Sequence, residues 1–535
     1  MAPEDASGLP ADLSARIDAL FAPWAGTHSP GAVVAVRRHG REIHRGCYGL
    51  AQLPHRIPLS GRSVMRIASQ TKQFTVLLAL MLETEGRLSL QDDVRRHLPW
   101  LPEFPCTVTL HHLAANVSGL RDYVEIMELG GQSPLSPAPR AMLRRVIREH
   151  GGVNFPAGDD LIYCNAGFLL LYEVIEQVSG RSFNELLRER ITGPLGMDQT
   201  LLLKQDDEIV PHLADHHTKG PDGAWRRAWA GEEANGDGGI VSSAEDMMIW
   251  LTNLNDPKIG AAELARMARP GATVNGRPSP YGLGLVTTDY RGHRSIGHGG
   301  AMAGARSEGV RFPDLGLDIV ILANTDDIAP FSLARRIVDT VLGRPPGPPH
   351  SAAAGARLTA TAGLYHDAAT DDVFAIALKD GVPVLGGNGG KAQIEEVEPG
   401  VFQPERGIIP LRLNLRPDGG IDADWFGRKR HYRRLRDSVA VPADAAGRYG
   451  DPAVALEAEI VIEGDMARLR LRSSFAALDA VLRPVAPGLL LARPAAGAEG
   501  PEPEVPSWLC AVRVLPDAIV INNDRTRGLR LPRLG

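Results

Sequence analysis

Ile67-Ala68-Ser69-Gln70-Thr71-Lys72-Gln73-Phe74 runs directly into Val76-Leu77-Leu78-Ala79-Leu80-Met81-Leu82. Apolar side chains fall on every face of the second stretch, so as a helix it would be buried all round. Residues 70–85 contain neither glycine nor proline, and a run of that length is too long for one strand. A helix starting here stacks Ser69 and Lys72, three residues apart, on one face at its first turn. A hydroxyl is a poor nucleophile until a base takes its proton. A lysine shielded from water beside the positive end of a helix can be that base. Ser-x-x-Lys alone recurs by chance in long chains, where it is most simply a solvated pair at a helix start. Its meaning depends on the motifs that accompany it downstream in the chain.

The 535 residues suffice for a large core and about two to four domains. Hydrophobic residues at 44% and charged residues at 23% are ordinary for a globular protein. A net charge of −6 gives no general electrostatic case for a nucleic-acid or anionic-membrane partner. No apolar run is long enough to span a bilayer. The acidic start, Met1-Ala2-Pro3-Glu4-Asp5, lacks the basic-then-apolar order of a secretory signal. Cys47, Cys106, Cys164 and Cys510 are scattered, with neither metal-ligand pairing nor a disulfide framework. The expectation is a cytoplasmic protein with reduced thiols and no metal or other cofactor.

Working outward, residues 12–26 carry Leu13, Ile17, Leu20 and Phe21 at helical spacing. Residues 31–36 and 43–48 read as two strands joined by a turn at His39-Gly40. A long helical and loop region extends to about residue 270. Strands return at 281–286, 293–298, 309–312 and 317–322. Early strands, a helical middle and late strands predict an α+β body whose sheet is closed by distant segments. Gly343-Arg344-Pro345-Pro346-Gly347-Pro348-Pro349 reads as a linker. Beyond it, short alternating stretches such as 411–415, 458–462 and 467–472 predict all-β structure. Ala362-Gly363-Leu364-Tyr365 and Ala446-Gly447-Arg448-Tyr449 open two similar halves of this region, which predicts two antiparallel β-barrels. The domain expectation is a catalytic body over 1–342, a linker over 343–357, and barrels over 358–437 and 438–535. The one basic run, residues 428–436, reads as a solvated strand and linker between the barrels; an RNA-binding strip is the less favoured reading in an acidic chain.

Two further short motifs matter. Tyr163-Cys164-Asn165 precedes a helix-like Phe168-Leu169-Leu170-Leu171-Tyr172, and His298-Gly299-Gly300 closes one strand. Singly, Tyr163 is a buried aromatic and His298 a strand-end histidine. In order with Ser69 and Lys72 they resemble the serine β-lactamase and penicillin-binding-protein-like hydrolases, with His-x-Gly where many relatives have Lys-Thr-Gly. Secondary marks agree, among them Leu110-His111-His112-Leu113, Val117-Ser118-Gly119-Leu120, Pro194-Leu195-Gly196-Met197 and Tyr281-Gly282-Leu283-Gly284-Leu285. The likeness covers residues 10–340. His298-Gly299-Gly300 with two C-terminal barrels is most similar to the D-stereospecific aminopeptidases of that family. Cys164 departs from the serine common at that position; a thiol there is a conceivable nucleophile, though no motif supports it.

The resemblance implies a homodimeric, metal-free enzyme that acts on peptides, amides or esters with a free D-amino terminus, with β-lactams as inhibitors. It implies acyl transfer through an ester on Ser69, with Lys72 and Tyr163 sharing the proton transfers as one coupled unit. Asn165 would orient Lys72, and His298 would hold the Tyr163 side of the network or the leaving group. The backbone N–H groups of Ser69 and Ala301 would form the oxyanion hole, while Gly300 leaves room for substrate backbone. A loop of the last barrel, near 492–504, would carry an acid for the substrate ammonium: Glu499, with Glu502 as the alternative and Arg306 as basic partner. A D-Ala-D-Ala carboxypeptidase or β-lactamase-like esterase on the same fold is the competing reading, and a non-catalytic β-lactam or ligand carrier is a third. The intact Ser69, Lys72, Tyr163, Asn165 and His298 set argues against a carrier.

Overall fold

The computed structural model describes residues 12–535 apart from 134, 150–151, 221, 270, 273–275, 277, 345–356, 358–359, 380, 388–389, 405–410, 426–427, 436–438, 452–455, 465, 475 and 496–506. Helix α1 (Leu13–Phe21) turns its Leu13, Ile17 and Phe21 inward and continues into a short 3₁₀ turn, Ala22–Trp24. Strands β1 (Ala32–Arg38) and β2 (Arg41–Tyr48) form a hairpin. Its two central residues, His39 and Gly40, have φ of 48° and 78°, the primed turn whose twist matches that of the flanking strands.

The long apolar run is helix α2 (Thr71–Thr84), entered through the 3₁₀ turn Ala68–Gln70. Every residue from Thr71 to Leu80 is buried, polar ones included. The second motif opens helix α3 (Asn165–Ser179), also buried on most of its surface. Four late strands complete the sheet: β3 (Val286–Tyr290), β4 (His293–Met302), β5 (Ala305–Phe312) and β6 (Leu317–Ala323). The wholly antiparallel sheet runs β3-β4-β5-β6-β1-β2. Ala32 lies opposite Ala323 and Arg38 opposite Leu317, so the first strand sits inside a sheet made mostly of the last ones.

Helices cover both faces, which explains why β1 and β6 are nearly unbroken apolar runs. Val34, Val36, Ile319 and Ile321 pack with α1 and with α4 (Pro330–Val341). Val33, Ala35, Val320 and Leu322 face the larger core that contains α2 and α3. The expected strand at 281–286 is a turn and strand β3 starts at Val286. Gly282 N–H donates to Leu285 O, and Gly284, at φ +71°, is pressed so close to α2 that a Cβ there would stand 2.9 Å from Lys72 O.

Eight antiparallel strands from Gly363–Asp367 to Arg428–Arg434 close into a barrel, and eight from Gly447–Asp451 to Leu529–Pro532 form a second that is nearly closed. The short internal repeat recurs as structure. The hydroxyls of Tyr365 and Tyr449 donate to the carbonyl four residues back, Thr361 O (2.6 Å) and Ala445 O (2.7 Å). Gly363 and Gly447 share φ near +152° and +155°. An arginine from the closing segment, Arg434 or Arg533, donates to the carbonyl of the adjoining Ala362 or Ala446. Residues 428–434 of the basic run form the last strand of the first barrel, as the strand part of that reading expected, but the strand is not solvated throughout: Arg430 is buried and paired with Asp372 at 3.1 Å, and Arg434 is spent on backbone carbonyls. Most of the linker, and the segment expected to carry Glu499 and Glu502, lie outside the described residues.

The three units touch through specific polar contacts. Arg335 of α4 donates to Gln403 of the first barrel at 3.1 Å, and Arg513 of the second barrel pairs with Asp371 of the first. A cavity of about 510 Å³, lined by Asp159, Asp160, Thr370, Asp371, Asn522 and Arg527 among others, lies where all three meet. Among the described residues no helix is long and apolar enough to cross a membrane.

Candidate active site

Ser69 stands in the turn that feeds α2, and the residue before it is unusual: Ala68 has φ +48°. A left-handed alanine costs about 1–3 kcal/mol and persists only where its surroundings fix it. Here they do. Ile67 N–H donates to Ile240 O at 3.0 Å, and Ile67 O accepts from Ser307 Oγ at 2.7 Å. Ser69 is thereby held at the head of α2, slightly open at 7% exposure.

Lys72 is fully buried. Its Nζ donates to Ser69 Oγ at 3.3 Å, to Asn165 Oδ1 at 2.9 Å and to Asp237 O at 2.5 Å. These three oxygens surround the side-chain nitrogen. The same Nζ stands 4.8 Å from the centre of the Tyr163 ring. Tyr163 is buried, and its hydroxyl has no hydrogen-bond partner among the described residues. An orphaned buried hydroxyl costs about 1–3 kcal/mol, and this one belongs to the ring that Lys72 overlies.

Asn165, first residue of α3, is set by Asp122. Oδ2 of that carboxylate accepts from the Asn165 backbone N–H (3.0 Å) and from its Nδ2 (3.1 Å). Oδ1 accepts from Val124 N–H at 3.0 Å, capping the helix Tyr123–Leu129. With Nδ2 tied to a carboxylate, Oδ1 of Asn165 must point the other way, at Lys72. Arg525 of the second barrel donates to the same Asp122 oxygen at 3.0 Å. Beneath Lys72, Tyr123 donates to Asp237 Oδ2 at 2.7 Å. Burial pushes the Asp237 carboxyl above its ordinary value in spite of Lys72 nearby.

His298 is brought to Tyr163, with ring centres 6.2 Å apart, but its hydrogen bonds go elsewhere. Nδ1 donates to Gly299 O at 2.6 Å, leaving Nε2 to accept from Tyr281 at 3.2 Å. Burial, with Lys72 adding to it, lowers the ring pKa to about 3, so it is neutral at physiological pH. Gly300 is where β4 meets the turn before Ser69: a Cβ there would stand 2.1 Å from Ile67 O and 3.1 Å from Ala68 Cβ. Ala301 comes next on the same strand and is exposed. Arg306 folds back on its own hairpin, donating to Met302 O and Ala305 O. Glu499 and Glu502 lie outside the described residues.

Cys164 is poorly suited to act as a nucleophile. Its Sγ donates to Leu120 O at 3.5 Å, and burial raises its pKa to about 12, so almost no thiolate forms near neutral pH. Asp122, Asp237 and Tyr281 belong to the site although sequence reasoning did not single them out for it. Asp122 lies just past the Val117-Ser118-Gly119-Leu120 mark and Tyr281 opens another, which is the one signal the sequence offers for them. Among the described residues no group of three or more His, Cys, Asp or Glu side chains is placed to hold a metal ion.

The family model for Beta-lactamase matches residues 17–342. A D-aminopeptidase of Gluconobacter oxydans (strain 621H) is 32% identical over 342 residues, 64% of each chain. One of Brucella canis is 31% identical over 331 residues, 60% of this chain and 61% of its own. The matched stretch thus spans less than two thirds of either relative. Among solved structures, the octameric penicillin-binding protein homologue from Pyrococcus abyssi superposes with a TM-score of 0.58 at 22% identity, covering 78% of this chain and 99% of that one. The family match runs from α1 to the end of α4 and contains Ser69, Lys72, Tyr163, Asn165 and His298: the chain belongs to the beta-lactamase family.

Proposed function

We propose that the protein is a serine-type D-aminopeptidase that releases N-terminal D-residues from peptides, amides and esters through an acyl-Ser69 intermediate. The observation that carries this reading is the placement of Lys72 Nζ, within hydrogen-bond reach of both Ser69 Oγ and Asn165 Oδ1, beside a Tyr163 hydroxyl with no partner among the described residues. The choice of D-residues is supported by the two D-aminopeptidases that share about a third of the aligned sequence.

Ser69 Oγ attacks the carbonyl carbon as its proton passes to the Lys72–Tyr163 pair, which then protonates the leaving amine as the C–N bond breaks. Water repeats the sequence on the ester, and Ser69 regains its proton. The backbone N–H groups of Ser69 and Ala301 face the oxyanion; losing one such donor would cost about 3 kcal/mol. Gly300, with no Cβ, lets its strand close up against the turn that carries Ser69. The substrate ammonium pairs with Glu499 or Glu502, with Arg306 as the basic neighbour. Leaving that ammonium unpaired would cost about 2–4 kcal/mol. The reading carries with it a metal-free homodimer of the cytoplasm, to be checked by EDTA insensitivity, sedimentation and cell fractionation.

Release of p-nitroaniline from D-alanine p-nitroanilide, L-alanine p-nitroanilide and the N-acetylated D-substrate tests it. The free D-substrate should be turned over by far the fastest. Equal rates on L- and D-substrates, or a preference for the blocked amine, would sink it.

A further inference from the structure

We propose that Arg525, carried by the second barrel, is a positioning residue of the acyl-transfer site, holding Asp122 so that Asn165, and through it Lys72, faces Ser69. The inference rests on the acyl-Ser69 reading but not on the identity of the substrate.

The loop 523–528 joins strands Ala518–Asn522 and Leu529–Pro532 and is stiffened from within. Asn523 N–H donates to Thr526 O and Thr526 N–H to Asn523 Oδ1, both at 2.7 Å. Gly528 N–H donates to Asn522 Oδ1 at 2.7 Å. The catalytic body grips this loop by its backbone. The Asn154 amide donates through Nδ2 to Arg525 O and accepts through Oδ1 from Arg527 N–H, each at 2.8 Å. Arg527 pairs with Asp160 at 3.2 Å. A stiff loop held by its backbone at Arg525 O and Arg527 N–H fixes where the Arg525 side chain starts and so aims it.

Its guanidinium lies 5.3 Å from the centre of the Tyr163 ring and donates to Asp122 Oδ2. Asp122 is fully buried, so this is no surface pair worth a few tenths of a kcal/mol. The charges that face the guanidinium are Asp122 and, farther off, Glu125 (3.9 Å) and Asp524 (3.8 Å). Glu128 and the Cys164 thiol also feel its charge. Burial alone would lower the Arg525 pKa, but Asp122, Glu125 and Asp524 together hold it above its ordinary value. It is therefore a permanent cation beside two buried acids, Asp122 and Glu125. Without it Asp122 would be a buried carboxylate beside other acids with no cation on it, and would turn toward water. That turn releases Nδ2 of Asn165, and with it the orientation that aims Oδ1 at Lys72.

The test uses the full chain and p-nitrophenyl acetate, an acyl donor without the amine that a D-aminopeptidase would select. Arg525→Ala should lower kcat by about a hundredfold or more with KM little changed, the size expected when a catalytic group is displaced by about an ångström. Added guanidinium should restore part of that loss, and Arg525→Lys should fall between wild type and Arg525→Ala. Arg527→Ala, which loosens the same loop but leaves Arg525 in place, should keep kcat within a few-fold. Melting curves of all variants accompany the rates. Wild-type kcat in Arg525→Ala would overturn the proposal. So would a loss that guanidinium does not relieve and that Arg527→Ala shares, since docking of the barrel would then be the whole effect. A wild-type enzyme that turns over p-nitrophenyl acetate but not D-alanine p-nitroanilide would overturn the aminopeptidase reading and leave this one standing.

Discussion

Nε2 of His298 accepts a hydrogen bond from the Tyr281 hydroxyl at 3.2 Å, with the two rings nearly perpendicular at 89°. The imidazole is thus committed at both nitrogens, and burial holds its pKa at about 3 against an ordinary 6.5. The unfolded chain takes up a proton on this histidine near pH 6.5, while the folded one refuses it until about pH 3. Stability from this group is therefore present above pH 6.5 and lost as pH falls toward 3. A His298→Gln variant lacks the effect. Its melting temperature should lie below that of the wild type at pH 7.5, and the gap should narrow at pH 4.5. A gap that stays constant across that range would show that the ring titrates alike in both states.

Ser69→Ala should fold normally and lose several orders of magnitude in hydrolysis, because no ester can form. Lys72→Ala and Tyr163→Phe should be nearly as damaging, and the double variant no worse than the poorer single one, as expected of groups that act as a unit. Steady-state rates with intact-mass detection of the acyl-enzyme check both points. A rate in Ser69→Ala close to wild type would exclude the serine route.

Alkylation separates the cysteines. Iodoacetamide at pH 8 should label exposed Cys47 and spare Cys164, whose thiol is buried and pushed up to about 12. Cys164→Ser should retain activity within several-fold. Peptide mass mapping of the native protein reads the first outcome, and labelling of Cys164 with parallel loss of activity would contradict it.

Adjacent glycines on β4 should differ sharply. A methyl on Gly300 would collide with Ile67 O at 2.1 Å, a backbone atom beside the nucleophile. A methyl on Gly299 would meet the carboxylate end of Glu308 at 2.8 Å, which can swing aside. Gly300→Ala should cost about 1–3 kcal/mol in stability and at least about a hundredfold in kcat/KM. Gly299→Ala should cost less in both. Denaturant melts and steady-state kinetics decide it, and equal losses in the two variants would mean that the close approach at Gly300 is not used.

Much of the fold is legible locally. The buried helix expected over 70–85 is Thr71–Thr84, because an apolar run with no helix breaker has one stable solution in a core. The His39-Gly40 turn, the alternating strands beyond the linker and the paired Ala-Gly-x-Tyr openings likewise carry their structure in a few adjacent residues. What stays hidden depends on distance along the chain. Asp122 acquires its place only because Asn165 and Arg525, 43 and 403 residues away, converge on one oxygen. Tyr281 reads as a strand residue because its apolar neighbours alternate with glycine. What makes a turn there is Gly284, left-handed and packed so close to α2 that no Cβ fits, a turn that leaves the Tyr281 hydroxyl on His298. The expected partnership of His298 with Tyr163 is a ring contact because the hydrogen-bonding capacity of the imidazole is already spent.

The pairing of Ala32 with Ala323 has a bearing on how the chain folds. Strand β1 has to wait, with one edge unpaired, until β6 is available almost three hundred residues later. Closing so long a loop is slow, since its entropy must be overcome before any pairing is gained. During that delay an apolar hairpin presents an open edge to any other extended chain. Refolding should therefore be slow and concentration-dependent in yield, and in the cell the nascent amino-terminal hairpin is the segment a chaperone would have most reason to hold.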